Sequence, residues 1–100
     1  MAKKKAKHEV VQSLDEASSL FQERNEEYGD GYKRIGKIVK EFFPEGVDLL
    51  EPEDYLRFQT FTNCVTKLNR YAQNFESGGH KDSSFDLINY AAILDSITEG

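Results

Sequence analysis

Residues 52–75 read PEDYLRFQTFTNCVTKLNRYAQNF, and this stretch decides the fold. Its apolar side chains recur every three or four residues, the spacing that places them on one face of an α-helix. Pro52 stands where the first turn of a helix tolerates proline, and the glycine pair at residues 78 and 79 breaks the pattern. The spacing predicts one long amphipathic helix from Pro52 to Phe75.

Three further segments show helical spacing. The first is predicted from about Glu9 to Glu27, and the second from about Tyr32 to Phe43. The last, capped by Asp82 or Ser83, is apolar almost all round, which is typical of a central or interface helix. No segment alternates with the period of a strand. The sequence therefore predicts an all-α fold of four helices, completed by association into a dimer or tetramer through helices three and four.

Length and charge limit the organisation and the classes of ligand. A chain of 100 residues fits one core, so we expect a single domain over residues 9–100 after a basic, flexible tail over residues 1–8. The 18 acidic and 13 basic residues give a net charge of -5. That charge argues against a protein that coats nucleic acid through phosphate contacts, and no motif for sequence-specific nucleic-acid binding is present.

The cellular location follows from what the sequence lacks. No apolar run approaches the roughly 20 residues of a membrane span, and the lysine-rich start lacks the apolar stretch of a signal peptide. Cys64 is the single cysteine, so the chain holds neither an internal disulfide nor a cysteine-based zinc site. We therefore expect a soluble cytoplasmic protein without membrane partners.

Two acidic pairs are candidate metal ligands. Glu23 and Glu26 are three residues apart, and Asp82 and Asp86 are four apart, so each pair shares one helix face. Carboxylates so placed suit Mg²⁺, which completes its octahedron with water and substrate phosphate oxygens. A solvated acidic face and a helix cap are the alternatives, although Asp86 is expected to be buried and to need a metal or a cationic partner. His80, in a glycine-rich loop, is expected to be exposed.

Cationic and polar side chains on the last two helices are candidate ligand-binding residues. Lys67 and Arg70 are three residues apart and could hold a polyphosphate or form ion pairs with carboxylates such as Asp86. Asn89 and Tyr90 interrupt the apolar fourth helix, where an amide either completes a hydrogen-bond network or contacts the edge of a base.

Four short motifs follow one another around these helices. They are Arg24-Asn-Glu-Glu-Tyr28-Gly29-Asp30, Leu50-Glu-Pro52-Glu-Asp54, Lys67-Leu-Asn-Arg70 and His80-Lys-Asp82-Ser-Ser-Phe-Asp86-Leu-Ile-Asn89-Tyr90-Ala91-Ala92. Together they resemble small phage and bacterial all-α domains described as nucleotide-modification-associated or dATP/dGTP diphosphohydrolase-like, relatives of the MazG-type nucleotide pyrophosphohydrolases. The resemblance covers about Ser13 to Ile97.

The resemblance implies a MazG-like helical dimer or tetramer that hydrolyses a nucleoside triphosphate to the monophosphate and pyrophosphate with Mg²⁺. The implied metal ligands are Glu23, Glu26, Asp82 and Asp86. Glu23, Glu26 and Asp86 would also be the catalytic residues. The implied substrate-binding residues are Lys67, Arg70, Asn89 and Tyr90. It also implies that a phage encodes the protein and that it acts in the host cytoplasm.

Two other functions fit the same residues. A domain of this type could keep its nucleotide pocket without catalysis and sequester nucleotides or cyclic-nucleotide signals during phage infection. It could instead be a small helical adaptor whose charges form ion pairs between helices. Carboxylates gathered around one cleft would favour hydrolysis, whereas a pocket lined by cations, with its carboxylates already paired, would favour sequestration.

Overall fold

The structure, a computed structural model, describes residues 6–100, except the side chain of Tyr28. Its elements are α1 (Glu9–Tyr28), α2 (Tyr32–Phe42), α3 (Pro52–Gln73), a 3₁₀ turn (Phe75–Ser77) and α4 (Lys81–Ser96). No strand occurs in that part of the chain, so the predicted all-α class of four helices is confirmed. The first five residues of the predicted basic tail lie outside the described residues.

The start of α1 uses the last residues of the predicted tail. His8 is the N-cap, and its Nδ1 accepts a hydrogen bond of 3.0 Å from the backbone N–H of Val10. Lys7 forms an ion pair with Asp15, two turns into the helix. These contacts satisfy one of the amide groups that the first turn of a helix leaves without a partner.

The start of α3 is fixed by a capping box. The Asp54 carboxylate accepts hydrogen bonds from the backbone N–H groups of Glu51 (3.0 Å) and Leu50 (3.2 Å) and lies 2.6 Å from the guanidinium of Arg57. The backbone hydrogen bonds from Glu51 and Leu50 lower the pKa of Asp54. Pro52 occupies the first helical turn, as the sequence predicts.

The predicted cap of the fourth helix is wrong. Neither Asp82 nor Ser83 caps α4; the N-cap is His80, whose Nδ1 accepts from the Ser83 backbone N–H at 3.3 Å and lies 2.6 Å from its hydroxyl. The usual N-cap residues are Ser, Thr, Asp, Asn and Gly, so sequence preferences do not predict a histidine at this position. The same bonds correct the expectation that His80 is exposed, since it is partly buried.

Gly79 sets up this turn and is a sensitive position. Its φ is +98°, and a Cβ added there would lie 2.5 Å from the ring of Tyr71. We expect Gly79→Ala to lower the free energy of unfolding by about 1.5 kcal/mol, because an L residue resists this conformation and the ring must move. Gly36, inside α2 with open space around it, is the matched control: Gly36→Ala should raise stability by about 0.5 kcal/mol. Thermal unfolding at equal protein concentration measures the stability change of both variants. An unchanged stability of Gly79→Ala would contradict the expectation.

Helix α3 is the centre of the fold, with α2 and α4 packed on it. Phe42 and Phe43, at the end of α2, meet the rings of Phe58 and Phe61 on α3 at centroid distances of 5.1 to 5.6 Å. Val65 is the one described apolar side chain that is buried, at 4% exposure. The buried polar side chains are Thr60, Asn69 and Ser83.

A single chain leaves much apolar surface uncovered. Its radius of gyration is 18.9 Å, against about 13 Å for a compact domain of this length. Its accessible surface of 8378 Å² exceeds by about 2,600 Å² the surface of a compact protein of the same mass. Phe85 and Ile88 on α4 and Leu14 on α1 are each more than half exposed. None of the described helices combines the length and apolar character needed to cross a membrane.

Candidate functional site

A cleft of about 240 Å³ opens where α1, α2 and α3 meet. It is lined by Phe21, Arg24, Asn25, Gly29, Tyr32, Ile35, Thr66, Asn69, Arg70 and Gln73. Among the residues predicted for the site, Arg70 alone lies here. The cleft therefore forms between the first acidic helix and the Lys67-Leu-Asn-Arg70 motif, and about half of its lining residues lie outside the four motifs.

The polar side of the cleft is built from two helices. Arg24 and Asn25 occupy the last turns of α1, whereas Asn69, Arg70 and Gln73 lie on successive turns of α3. Arg24 makes no ion pair with a carboxylate in the described part of the chain. The lining thus includes arginines from two different helices, and guanidinium groups are the side chains that most often pair with phosphates and carboxylates.

The apolar side of the cleft has an aromatic edge. Phe21 and Tyr32 meet edge to face, with ring centroids 6.2 Å apart, and Ile35 lies one turn further along α2. Both rings are more than half exposed in the single chain. Aromatic faces at the rim of a cationic cleft suit a ligand that carries both a flat ring and negative charge.

A tight turn joins α1 to α2 and holds the cleft together. Gly29 has φ +64°, and the Asn25 amide donates to its carbonyl at 3.2 Å and to the Asp30 carboxylate at 2.8 Å. The hydrogen bond from Asn25, followed by that from Lys33, lowers the pKa of Asp30. Gly31 is buried against the Gln73 side chain, which a Cβ would meet at 2.0 to 2.6 Å. The turn is thus attached to α3 at the floor of the cleft.

Asn69 connects this turn to α3 and retains an unused acceptor. Its side-chain Nδ2 donates to the Gly31 carbonyl at 3.1 Å, and the residue is 6% exposed. Its Oδ1 is buried without a hydrogen-bond partner in the described part of the chain. A buried amide oxygen normally has a donor, so this cleft residue is suited to accept a hydrogen bond from water or from a ligand.

Three of the predicted site residues lie together between α3 and α4, away from the cleft. The Lys67 ammonium is 2.9 Å from the Asp86 carboxylate and 5.9 Å from the centre of the Tyr90 ring. The Lys67 side chain is 14% exposed and that of Asp86 45%. The ion pair that the sequence offered as one alternative for these residues is therefore formed. Asn89, another predicted site residue on α4, is exposed.

The predicted acidic pairs are not gathered in one chain. Glu23, Glu26 and Asp82 are exposed, and no group of three or more His, Cys, Asp or Glu side chains suited to a metal occurs among residues 6–100. Glu23 and Glu26 lie two and five positions beyond Phe21, which places them on the face of α1 opposite the cleft. Their role as metal ligands stays a prediction.

The link between α1 and α4 instead comes from a residue that was not selected. Glu27 Oε1 lies 3.1 Å from His80 Nε2. Because Nδ1 of His80 accepts from Ser83, Nε2 carries the proton and donates to Glu27. This contact ties the end of α1 to the first turn of α4.

Sequence reasoning missed Phe21, Arg24, Asn25, Tyr32 and Gln73. Arg24 and Asn25 open the first motif, between Glu23 and Glu26. The sequence therefore places them at the end of the first helix but does not show which neighbouring helix they face. The assembled side chains suit a planar, negatively charged ligand. No protein-family model, curated protein or solved structure matches this chain.

Proposed function

We propose that this protein binds a nucleoside phosphate in the cleft between α1, α2 and α3. The observation that carries the proposal is that Arg24 and Arg70, from different helices, line the same cleft as the aromatic edge of Phe21 and Tyr32. Guanidinium groups bind phosphate oxygens through paired hydrogen bonds, and aromatic rings stack on bases. The amides of the cleft supply donors and acceptors for a base or a sugar.

The distribution of carboxylates supports binding more directly than hydrolysis. Asp86 is paired with Lys67, and Glu27 contacts His80. None of the residues that line the cleft is acidic, and two of them are arginines, so the lining favours an anion such as a polyphosphate. A protein that binds nucleotides or cyclic nucleotides without turnover, and so sequesters them, needs only these features.

Magnesium-dependent pyrophosphohydrolysis is the second candidate. Glu23 and Glu26 are exposed, one turn apart, and without an ion-pair partner in the described part of the chain, which favours them as donors to Mg²⁺. They face away from the cleft of their own chain, so a metal held there does not reach a phosphate bound in that cleft. Hydrolysis by a MazG-like assembly therefore requires that another copy bring Glu23, Glu26, Asp82 or Asp86 to the nucleotide.

The proposal includes a homodimer or homotetramer. One buried apolar side chain in the described part of the chain is a small core for a fold of this length, and the surplus of accessible surface is of the size that subunit interfaces remove. A nucleotide-binding role also agrees with a cytoplasmic location, in the host cytoplasm if a phage encodes the protein. If no nucleotide binds, the small helical adaptor becomes the favoured hypothesis.

Incubation with small molecules tests the proposal. We expect purified protein to retain one or more members of a panel of ribo- and deoxyribonucleoside triphosphates and cyclic oligonucleotides, measured by chromatography before and after denaturation, with and without Mg²⁺. Ligand that disappears with the protein and returns intact supports binding. Monophosphate and pyrophosphate formed only with Mg²⁺ would establish the hydrolase. An unchanged panel in every sample would refute both.

A further inference from the structure

Helix α1 exposes an apolar row that its own chain does not cover. Val10, Leu14, Ala17 and Phe21 follow one another at intervals of four, three and four residues, the spacing of a coiled-coil seam. Val10, Leu14 and Phe21 are each more than half exposed. Among the described residues, α2 with α3 and α3 with α4 are the helix pairs that pack extensively. Most of the stability of helices in proteins comes from packing of an amphipathic face, so a bare apolar row on this helix of 20 residues favours a partner that covers it.

The same face of α1 leads into the cleft. Phe21 belongs to both the apolar row and the cleft lining, and Arg24 and Asn25 follow on that side of the helix. The volume of about 240 Å³ lies below the 300 to 1,000 Å³ of typical ligand pockets, and the Phe21 ring is 57% exposed. A molecule that covers the row therefore also borders the cleft at its open aromatic edge.

We propose that a second copy of this chain packs on the apolar row of α1 and completes the cleft, so that assembly and ligand binding are linked. The linkage rests on the nucleotide-binding function proposed above, whereas the contact through α1 does not. The sequence predicts a subunit interface on helices three and four. The proposed contact adds the first helix to that interface.

The area and the fold identify the partner as a second copy. The surplus of about 2,600 Å² for each chain corresponds to about 5,000 Å² for two, in the range of obligate homodimers. A chain with so little buried apolar surface gains stability when a partner covers its exposed rows, and another copy is present wherever the chain is made. A second uncovered apolar surface, at Phe85 and Ile88 on α4, gives each copy two faces that can be buried in a closed assembly.

A pair of charge-matched variants tests the contact. Leu14→Glu places a carboxylate in the row, two turns from Phe21 and outside the cleft, whereas Ser19→Glu adds the same charge on the opposite face of α1. Size-exclusion chromatography with light scattering should give a multiple of 11.5 kDa for wild type and Ser19→Glu, and a single chain for Leu14→Glu. Leu14→Ala, in which alanine is still a good helix former, should raise the subunit dissociation constant by about 100-fold. If Leu14→Glu does not fold, the dissociation constant of Leu14→Ala still tests the contact.

Equilibrium dialysis with dATP then tests the linkage. At a protein concentration where wild type is assembled and Leu14→Ala is largely dissociated, dATP binding should fall at least about fivefold in Leu14→Ala and stay unchanged in Ser19→Glu. An assembly that survives Leu14→Ala and Leu14→Glu would overturn the contact. Dissociation with unchanged dATP binding would overturn the linkage. If wild type assembles but retains no dATP or other member of the panel, the nucleotide function and with it the linkage fail, while the contact through α1 stands.

Discussion

Replacing both arginines of the cleft should abolish nucleotide binding almost completely. Hydrogen bonds to charged groups contribute about 1.5 to 3 kcal/mol each, and partial exposure of the cleft favours the lower figure. We therefore expect Arg24→Ala and Arg70→Ala each to weaken binding of a nucleoside triphosphate about tenfold, and the double variant about 100-fold. Isothermal titration calorimetry at fixed ionic strength measures the three dissociation constants, because these contacts weaken with salt.

Arg34→Ala provides the matched control. Arg34 is an exposed arginine on α2 that does not line the cleft, so its loss changes the net charge equally without removing a cleft contact. Its dissociation constant should stay within about twofold of wild type, since distant exposed charges are screened. If Arg34→Ala and Arg24→Ala weakened binding equally, the effect would come from overall charge, and the cleft would not be the binding site.

The fold was predictable from sequence to a large extent, because it depends on local rules. Pro52, the acidic first turn of α3 and the glycines after α1 and α3 mark ends that the structure places within about two residues of the predicted positions. The predicted cap of α4 was wrong because His80 takes the place of the usual short polar side chain. His80 is held there by contacts with Ser83 and with Glu27, which is 53 residues away in sequence.

The candidate site was less predictable, because it depends on how helices pack. Lys67 and Arg70 share a motif, yet Lys67 contacts α4 while Arg70 lines the cleft with α1. Spacing along one helix shows which side chains are neighbours, but it does not show which neighbouring helix each one faces. Phe21 belongs to the apolar spacing of α1, and apolar periodicity does not distinguish a core position from a ligand pocket or a subunit contact.

Removing the Asp86 carboxylate should destabilise the protein even without a ligand. The Lys67 side chain is 14% exposed, so Asp86→Asn leaves a mostly buried lysine without its ion-pair partner, beside the ring of Tyr90. Exposed ion pairs contribute up to about 1 kcal/mol, and loss of one partner of a buried pair costs about 3 to 5 kcal/mol. Because Asp86 is 45% exposed, we expect an intermediate loss of about 2 kcal/mol, or a fall in Tm of about 8 °C or more at equal protein concentration.

Two further variants separate the ion pair from a metal-binding role. Lys67→Met with Asp86→Asn should recover most of the lost stability, since methionine keeps the apolar stem and removes the unpaired charge. Asp95→Asn, an exposed carboxylate on the same helix without an ion pair among the described residues, should change stability by less than about 0.5 kcal/mol. An unchanged Tm for Asp86→Asn, together with loss of Mg²⁺-dependent turnover, would instead assign Asp86 to the metal. Lys67 would then stabilise the fold through its contact with Tyr90 rather than through Asp86.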